Sequence, residues 1–334
     1  MTGTIEIDRS RAKATAREAF EQYGISRQDA DVTADMLVTA QARGKQSHGL
    51  IRLPRYVRGI EHGNVDPDGN IEILRDAGAA ATIDGGARLG PAVAVEALGE
   101  ATARADQDGV GLVGVHNSTH LGALGYYTDR VRRDGYICLA MTNTEPAMPP
   151  YGGVEPVLGT NPLALGLPTD PPFNLDMSTA AIARGSLEEA AERGEQIPEG
   201  VALDEDGEPT TDPKAALEGT ILPFGGPKGS GLAIAIEVLA GGLVGAAMGE
   251  DVTGTYHTED PCTKGDLFLV VDPTAVGGEG TTARIETFLE QLTQRQSAAD
   301  SEIRLPGASS LRNERIETIH VDEELWTEIL ALAE

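Results

Sequence analysis

Apolar residues recur over the first forty positions at helical spacing. Ala12, Ala16, Ala19 and Phe20 form one stripe, with Asp8 placed to cap the helix and Gly24 to end it. Ser26 opens a second helix whose stripe is Val32, Met36, Leu37 and Ala40. Residues 65–84, between the turn signals Pro67-Asp68-Gly69 and Asp84-Gly85-Gly86, predict loop and short strands. An alanine-rich helix follows over 91–107. Strand-like runs lie at 110–115, 136–142, 163–167 and 267–271, separated by glycine and proline loops. A long apolar helix is predicted over roughly 229–248, and the segment 282–334 reads as two helices around a strand-like Glu302–Leu305. No internal repeat or low-complexity linker is visible, and 334 residues allow a large core divided into two or three lobes.

Two patterns invite a wrong reading. Gly109-Val110-Gly111-Leu112-Val113-Gly114 spells the dinucleotide fingerprint. That fingerprint must follow a strand and open a helix, whereas these glycines fall between a predicted helix and a predicted strand. The apolar run Gly229 to Gly249 is long enough for a membrane span, but Glu237 sits in its middle and glycines recur through it. A buried helix is the better expectation.

Charge changes the picture of the surface. Asp and Glu total 53 against 26 Lys plus Arg, a formal net charge of -27. Lysines are scarce: Lys13, Lys45, Lys214, Lys228 and Lys264. The acids are spread along the chain among periodic apolar positions, so an acidic folded surface adapted to high salt is expected rather than disorder. No Lys/Arg stripe is available for phosphates, which argues against nucleic acid. Cys138 and Cys262 have no metal-ligand spacing, and no secretory leader is visible at the N-terminus. A reducing, cytoplasmic location is the expectation, with no membrane association.

Several constellations can carry chemistry. Val110 to Val115 delivers a turn containing His120, where a histidine is held and partly desolvated, as a general acid/base requires. In Ser47-His48-Gly49-Leu50-Ile51-Arg52, His48 and Arg52 share a helical face, so Arg52 can grip a carboxylate while His48 meets a neighbouring hydroxyl. The loop Gly225-Gly226-Pro227-Lys228-Gly229 enters the apolar helix and suits a pyrophosphate, although the Walker spacing is not met. Leu175-Asp176-Met177-Ser178 and Thr142-Asn143-Thr144 end strands in small or polar residues, where ligands approach. His116 and His120 are four apart, which keeps a metal-dependent hydrolase or lyase as a competing class, but no glutamate lies between them. Asp204-Glu205-Asp206-Gly207 lacks the later ligands of a calcium loop. A catalytically idle binding protein is a third class, disfavoured by the presence of both histidines and Arg52.

The chain resembles the malate/L-lactate dehydrogenase family of the second type, which also holds ureidoglycolate, sulfolactate and diketogulonate-type oxidoreductases. The resemblance rests on Ser47-His48-Gly49 through Arg52-Leu53-Pro54-Arg55-Tyr56, Ser118-Thr119-His120-Leu121-Gly122, Gly152-Gly153 to Leu158-Gly159-Thr160-Asn161-Pro162, Leu175-Asp176-Met177, Ile197-Pro198-Glu199-Gly200, Pro209-Thr210-Thr211-Asp212-Pro213 and Gly225-Gly226-Pro227-Lys228-Gly229. It implies an α+β, non-Rossmann NAD(P)-binding fold with a mixed, largely antiparallel sheet and flanking helical segments. It implies hydride transfer between NAD or NADP and a small 2-hydroxy or 2-oxo acid, in a homodimer. His120 and His48 become the acid/base candidates, with Arg52 and Ser47 on the substrate. Thr144, Asp176, Met177, Ser178, Lys228, Gly229, Pro306 and Gly307 become the cofactor lining. The expected division is a helical part, 1–70 plus 282–334, a linking segment, 71–108, and a cofactor-binding part, 109–281. Gln46, Asp266 and Ala308 depart from the family pattern, where acidic, histidine and acidic residues respectively are common.

Overall fold

The computed structural model describes residues 3–297, 302–313 and 316–334. It opens with strand β1 (Thr4–Asp8) and helices α1 (Arg9–Gln22), α2 (Arg27–Ala42) and α3 (Leu53–Glu61); two 3-10 turns, Gln46–His48 and Leu50–Arg52, join the last two. A hairpin of β2 (Glu72–Ala77) and β3 (Ala80–Asp84) leads to α4 (Gly90–Asp108), β4 (Val110–His116), α5 (Leu124–Arg133) and β5 (Ile137–Thr142). Next come β6 (Leu163–Leu167), β7 (Phe173–Met177), α6 (Arg184–Arg193), β8 (Ala202–Leu203), α7 (Pro213–Glu218), β9 (Thr220–Ile221) and α8 (Pro227–Ile236). The chain closes with β10 (Asp266–Val271), α9 (Pro273–Gly277), α10 (Thr281–Thr293), α11 (Ala308–Asn313), β11 (Thr318–Asp322) and α12 (Glu323–Leu332).

Seven strands form one mixed sheet in the order β2-β3-β4-β10-β5-β6-β7. The β3–β4 contact is parallel and the other five of its six contacts are antiparallel. Alanine lets α4 lie close on this sheet: Ala94, Ala97, Ala101 and Ala105 are all buried. At Gly111 a Cβ would stand 1.9 Å from the Ala101 carbonyl oxygen, so the β4 position requires glycine. The fingerprint-like glycines therefore serve helix–strand packing; Gly109 caps the end of α4 and the others lie in β4. One apolar core runs from α1 and α2 through α4, β4, β5 and β10 to α12. A second, built by Met148, Leu158, Leu187, Ile197, Ala202, Ala216, Ile221 and Ala233, supports the lobe between residues 148 and 233.

The expected caps are present. Asp8 Oδ1 accepts from the Ser10 and Arg11 amides at 2.8 and 3.1 Å, and Ser26 Oγ accepts from Asp29 N at 3.2 Å. Three expectations fail. The segment 282–334 carries three helices, α10, α11 and α12, rather than two. Glu302–Leu305 is not a strand: Leu305 is buried, and Pro306 presents its carbonyl to Asn174 N at 3.0 Å, strapping the segment onto β7. The strand is β11, paired antiparallel with β1 at Ile5↔Val321 and Ile7↔Ile319, a contact between opposite ends of the chain. The long apolar helix is also interrupted. After α8 the residues Glu237–Gly242 form a π-helical turn, a device frequent at functional sites. Its buried Glu237 accepts from Asn143 Nδ2 (2.9 Å), Asn161 Nδ2 (2.7 Å) and Gly249 N (2.9 Å). Among the described residues no helix is long and apolar enough to cross a membrane.

Candidate active site

The motif after α2 folds as two short turns because Gly49 breaks the helix between them. His48 faces the turn that follows β4, and Arg52 faces the Thr255 loop. The His48 and His120 rings lie 5.8 Å apart, centroid to centroid. Ser47 Oγ meets His48 Nδ1 at 2.9 Å, and the Ser47 carbonyl accepts from Arg52 Nε at 2.8 Å. Arg52 Nη1 donates to the Thr255 carbonyl at 3.4 Å. These are backbone acceptors, and no carboxylate pairs with Arg52 among the described residues.

His120 is backed by Tyr56, whose hydroxyl lies 2.8 Å from Nδ1. The Gly122 amide, which can only donate, also points at Nδ1 from 3.2 Å. The neutral ring accepting that bond carries its proton on Nε2. Burial and the nearby Arg52 hold the His120 pKa well below its ordinary 6.5, with His48, Lys264 and Arg55 adding to the effect. Burial, then Arg52, push His48 down to about 4 against a smaller opposing effect of Asp176. Burial raises the Tyr56 pKa, so its hydroxyl stays neutral.

Beneath the His120 turn lies a fully buried lysine. Lys264 pairs with Asp266 and donates to Ser118 Oγ at 3.1 Å, and that hydroxyl also reaches Asp266 Oδ2 at 3.2 Å. Beside it, Glu145 gathers the 255–257 loop: Oε1 accepts from the amides of Thr255 (2.6 Å), Tyr256 (2.8 Å) and His257 (3.3 Å), and Oε2 meets His257 Nδ1 at 2.8 Å. This fixes the carbonyl that receives Arg52.

A cavity of about 240 Å³ lies along β7, bounded by Lys45, Gly125, Asn174, Asp176, Pro306 and Gly307. Asp176 pairs with Lys45, accepts from Gly125 N at 2.9 Å and acts on His48, so the cavity adjoins the histidines. Thus Asp176, Pro306 and Gly307 meet around one space. The remaining residues form a connected second group. Thr144 N donates to Asn161 Oδ1 at 3.2 Å, Thr179 N to the Thr160 carbonyl at 2.9 Å, and Phe224 N to the Thr179 carbonyl at 3.0 Å. Ser178 Oγ accepts from Ala180 N at 3.1 Å within this turn. Met177 ends β7 between the two groups. Lys228 stands exposed in the first turn of α8 and has no acidic partner among the described residues. At buried Gly229 a Cβ would meet the Phe224 carbonyl at 2.0 Å, so the turn before α8 closes only on glycine. The cavity at Asp176, Pro306 and Gly307, bordered by the Lys45–Asp176 pair and open to backbone, has the polar and small lining that part of a nicotinamide dinucleotide needs.

His116 ends β4, and among the described residues no group of three His, Cys, Asp or Glu side chains could hold a metal ion. Sequence reasoning gave no role to Tyr56, although its spacing of four from Arg52 repeats that of Arg52 from His48. It also gave no role to Lys45, Arg55, Tyr256 and Lys264, and took Glu145 only as part of the polar turn Thr142-Asn143-Thr144-Glu145-Pro146.

The malate/L-lactate dehydrogenase family matches this chain over residues 7–330. The chain belongs to that family. An L-sulfolactate dehydrogenase of Methanothermobacter thermautotrophicus is 44% identical over 322 residues, covering 95% of this chain and 93% of the relative. A malate/(S)-sulfolactate dehydrogenase of Methanothermus fervidus is 42% identical over 316 residues, covering 93% and 92%. The solved structure of the sulfolactate dehydrogenase from Methanocaldococcus jannaschii superposes with a TM-score of 0.94 at 40% identity, covering 98% of this chain and 96% of that one. The protein is an NAD(P)-dependent dehydrogenase of 2-hydroxy acids.

Proposed function

We propose that the substrate is a 2-hydroxy acid carrying a second acid group, of the malate or sulfolactate kind. One observation carries the reading: a half-buried arginine without a carboxylate partner, beside two histidines of lowered pKa, in a chain with twice as many acids as bases. The relatives named above act on such acids.

In this reading Arg52 holds the 1-carboxylate through its free guanidinium edge. His120 is the acid/base, with Nε2 toward the substrate oxygen. His48, steadied by Ser47, lines the same pocket. The substrate's charge offsets Arg52, the largest charged group depressing His120, so binding draws the ring toward protonation. The imidazolium then gives its Nε2 proton to the oxo oxygen during reduction, and the neutral ring left behind directs Nδ1–H at the Tyr56 hydroxyl. In oxidation a bare Nε2 takes the hydroxyl proton, which requires the ring to exchange the Nε2–H tautomer favoured by the Gly122 amide for the one whose Nδ1–H meets the Tyr56 hydroxyl. A nicotinamide bound in this site would supply or accept the hydride. Thr144, Asp176, Met177, Ser178, Lys228, Gly229, Pro306 and Gly307 hold the cofactor in a fold distinct from Rossmann's, since a largely antiparallel sheet and a strand-embedded glycine run support that distinction.

A homodimer is part of the proposal. Ile234, Val238, Leu239 and Leu243 stand exposed at helical spacing along α8 and the π turn. No charge interrupts them, so two strongly acidic copies meet there with least repulsion. Screening 2-oxo acids with NADH and NADPH, at dilute and molar salt, tests the reading. Oxaloacetate or 3-sulfopyruvate is expected to lead pyruvate in kcat/KM, and pyruvate in the lead would overturn it.

A further inference from the structure

Two guanidinium groups beyond Arg52 converge on one ring. Arg55 lies three positions after Arg52, a spacing that sets both on one side of the chain as it enters α3. Its guanidinium carbon sits 4.6 Å from the centroid of the Tyr256 ring. Arg184, which begins α6 in the second lobe, sits 5.1 Å from the same centroid. The two lobes thus present cations to each other across Tyr256. The backbone of α6 comes as close to the histidine motif: a Cβ on Gly185 would stand 3.3 Å from that of Ser47.

The local charge count is out of keeping with the rest of the chain. Glu188 offsets Arg184, at 3.7 Å from its Nε, while accepting from the Tyr256 hydroxyl at 3.2 Å. Glu145 is taken up by three amides and His257. Lys264 has Asp266. Arg52 and Arg55 are left with no acidic partner among the described residues. Each is near enough to act on His120, and Arg55 also acts on Arg52. With 53 acids available, two adjacent arginines that no acid hydrogen-bonds, with Glu188 acting on Arg52 only at a distance, are stable neighbours chiefly when anions join them. Stacking on Tyr256 fixes the plane of Arg55 and leaves its N–H edge free to donate.

We propose that Arg55, aligned by Tyr256 and seconded by Arg184, receives the acid group on C3 of the substrate and so sets the preference for two-acid over one-acid substrates. The inference rests on the two-acid reading given above. It separates the work of the arginines: Arg52 serves every 2-hydroxy acid, and Arg55 with Arg184 serves the second charge.

The test compares kcat/KM for oxaloacetate, 3-sulfopyruvate and pyruvate in the wild type, Arg55→Gln, Arg55→Lys and Arg184→Gln. Arg55→Gln is expected to lose ~10–100-fold on both two-acid substrates, mainly through KM, the scale of one charged hydrogen bond. Pyruvate is expected to change little, and Arg55→Lys to recover part of the loss. Arg184→Gln, at a more exposed position, is expected to show a smaller loss confined to the same two substrates, and it carries the test if Arg55→Gln melts early. Equal losses on all three substrates, or a preference unchanged in both glutamine variants, would overturn the inference while leaving the two-acid reading intact. A wild type that favours pyruvate would overturn both.

Discussion

His120 is reached by two partners of different kinds, and this makes its role testable. His120→Ala is expected to lower kcat by ~100-fold or more, the scale of general acid/base catalysis, with NADH binding by fluorescence unchanged. Turnover near the wild type would hand the role to His48. Proton linkage gives an independent check. Because Arg52 and burial keep the free His120 neutral, binding a 2-oxo acid to the enzyme with oxidised cofactor, a pairing that cannot turn over, is expected to take up protons near pH 7. Calorimetry in two buffers of different ionisation enthalpy reads this directly, and equal heats would rule it out. His48 bears on stability instead. Its folded pKa of about 4 lies below the ordinary 6.5. The unfolded chain therefore holds a proton that the folded chain refuses between those values. This contribution is present above about 6.5 and is lost as the pH falls toward 4. Melting curves of His48→Gln are expected to be less steep in that window, and an identical slope would remove His48 as the source. At this scale His48 and Arg52 were legible because they lie four positions apart in one motif, while Tyr56, four further on, was given no role. The Lys264–Ser118 and Arg55–Tyr256 contacts were not legible, because the first spans 146 positions of the chain and the second about 200.

The elements divide in the same manner. Helices with a capping residue and a local stripe, such as α1, α2 and α4, could be read from the sequence because the information lies within a few turns. The β1–β11 pair could not, since β1 offers one buried apolar residue and β11 two, and the partner of each lies at the other end of the chain. Glu302–Leu305 has as good a local pattern but is held by the β7 backbone as a strap. The π turn was equally hidden: periodicity sees an unbroken apolar run, and the interruption falls where Glu237 meets Asn143 and Asn161 from distant loops. What periodicity does expose is the uncovered face of that run. Val238→Glu and Leu243→Glu place charges on exposed positions of that face. Each is expected to raise the monomer fraction in sedimentation at molar salt while leaving the melting temperature of the monomer close to the wild type. A dimer as stable as the wild type's would move the proposed contact elsewhere.

At the scale of the whole molecule, charge dominates. Ion pairs exist, including Lys13 with Asp31 and Asp35 at 3.0 and 3.1 Å and Arg88 with Asp29 at 2.6 Å. They cannot balance the chain, because 26 bases leave a net charge of -27 even if every one is paired. At ~0.1 M salt the screening length is ~10 Å, so neighbouring surface acids repel one another within a protomer and across any dimer contact; at ~1 M it is ~3 Å and most of that repulsion is gone. Salt also weakens the exposed pairs, but each is worth under about 1 kcal/mol. Burial of the two apolar cores gains further when the salt is one excluded from protein surfaces. The balance predicts that melting temperature and dimer content rise together with KCl, and that the α8-face variants lose the rise in dimer content but keep the rise in melting temperature. Thermal scans and sedimentation from dilute to molar KCl measure both. A melting temperature that stays flat or falls over that range would defeat the salt-adapted reading, because the repulsion it invokes would then be too small to matter.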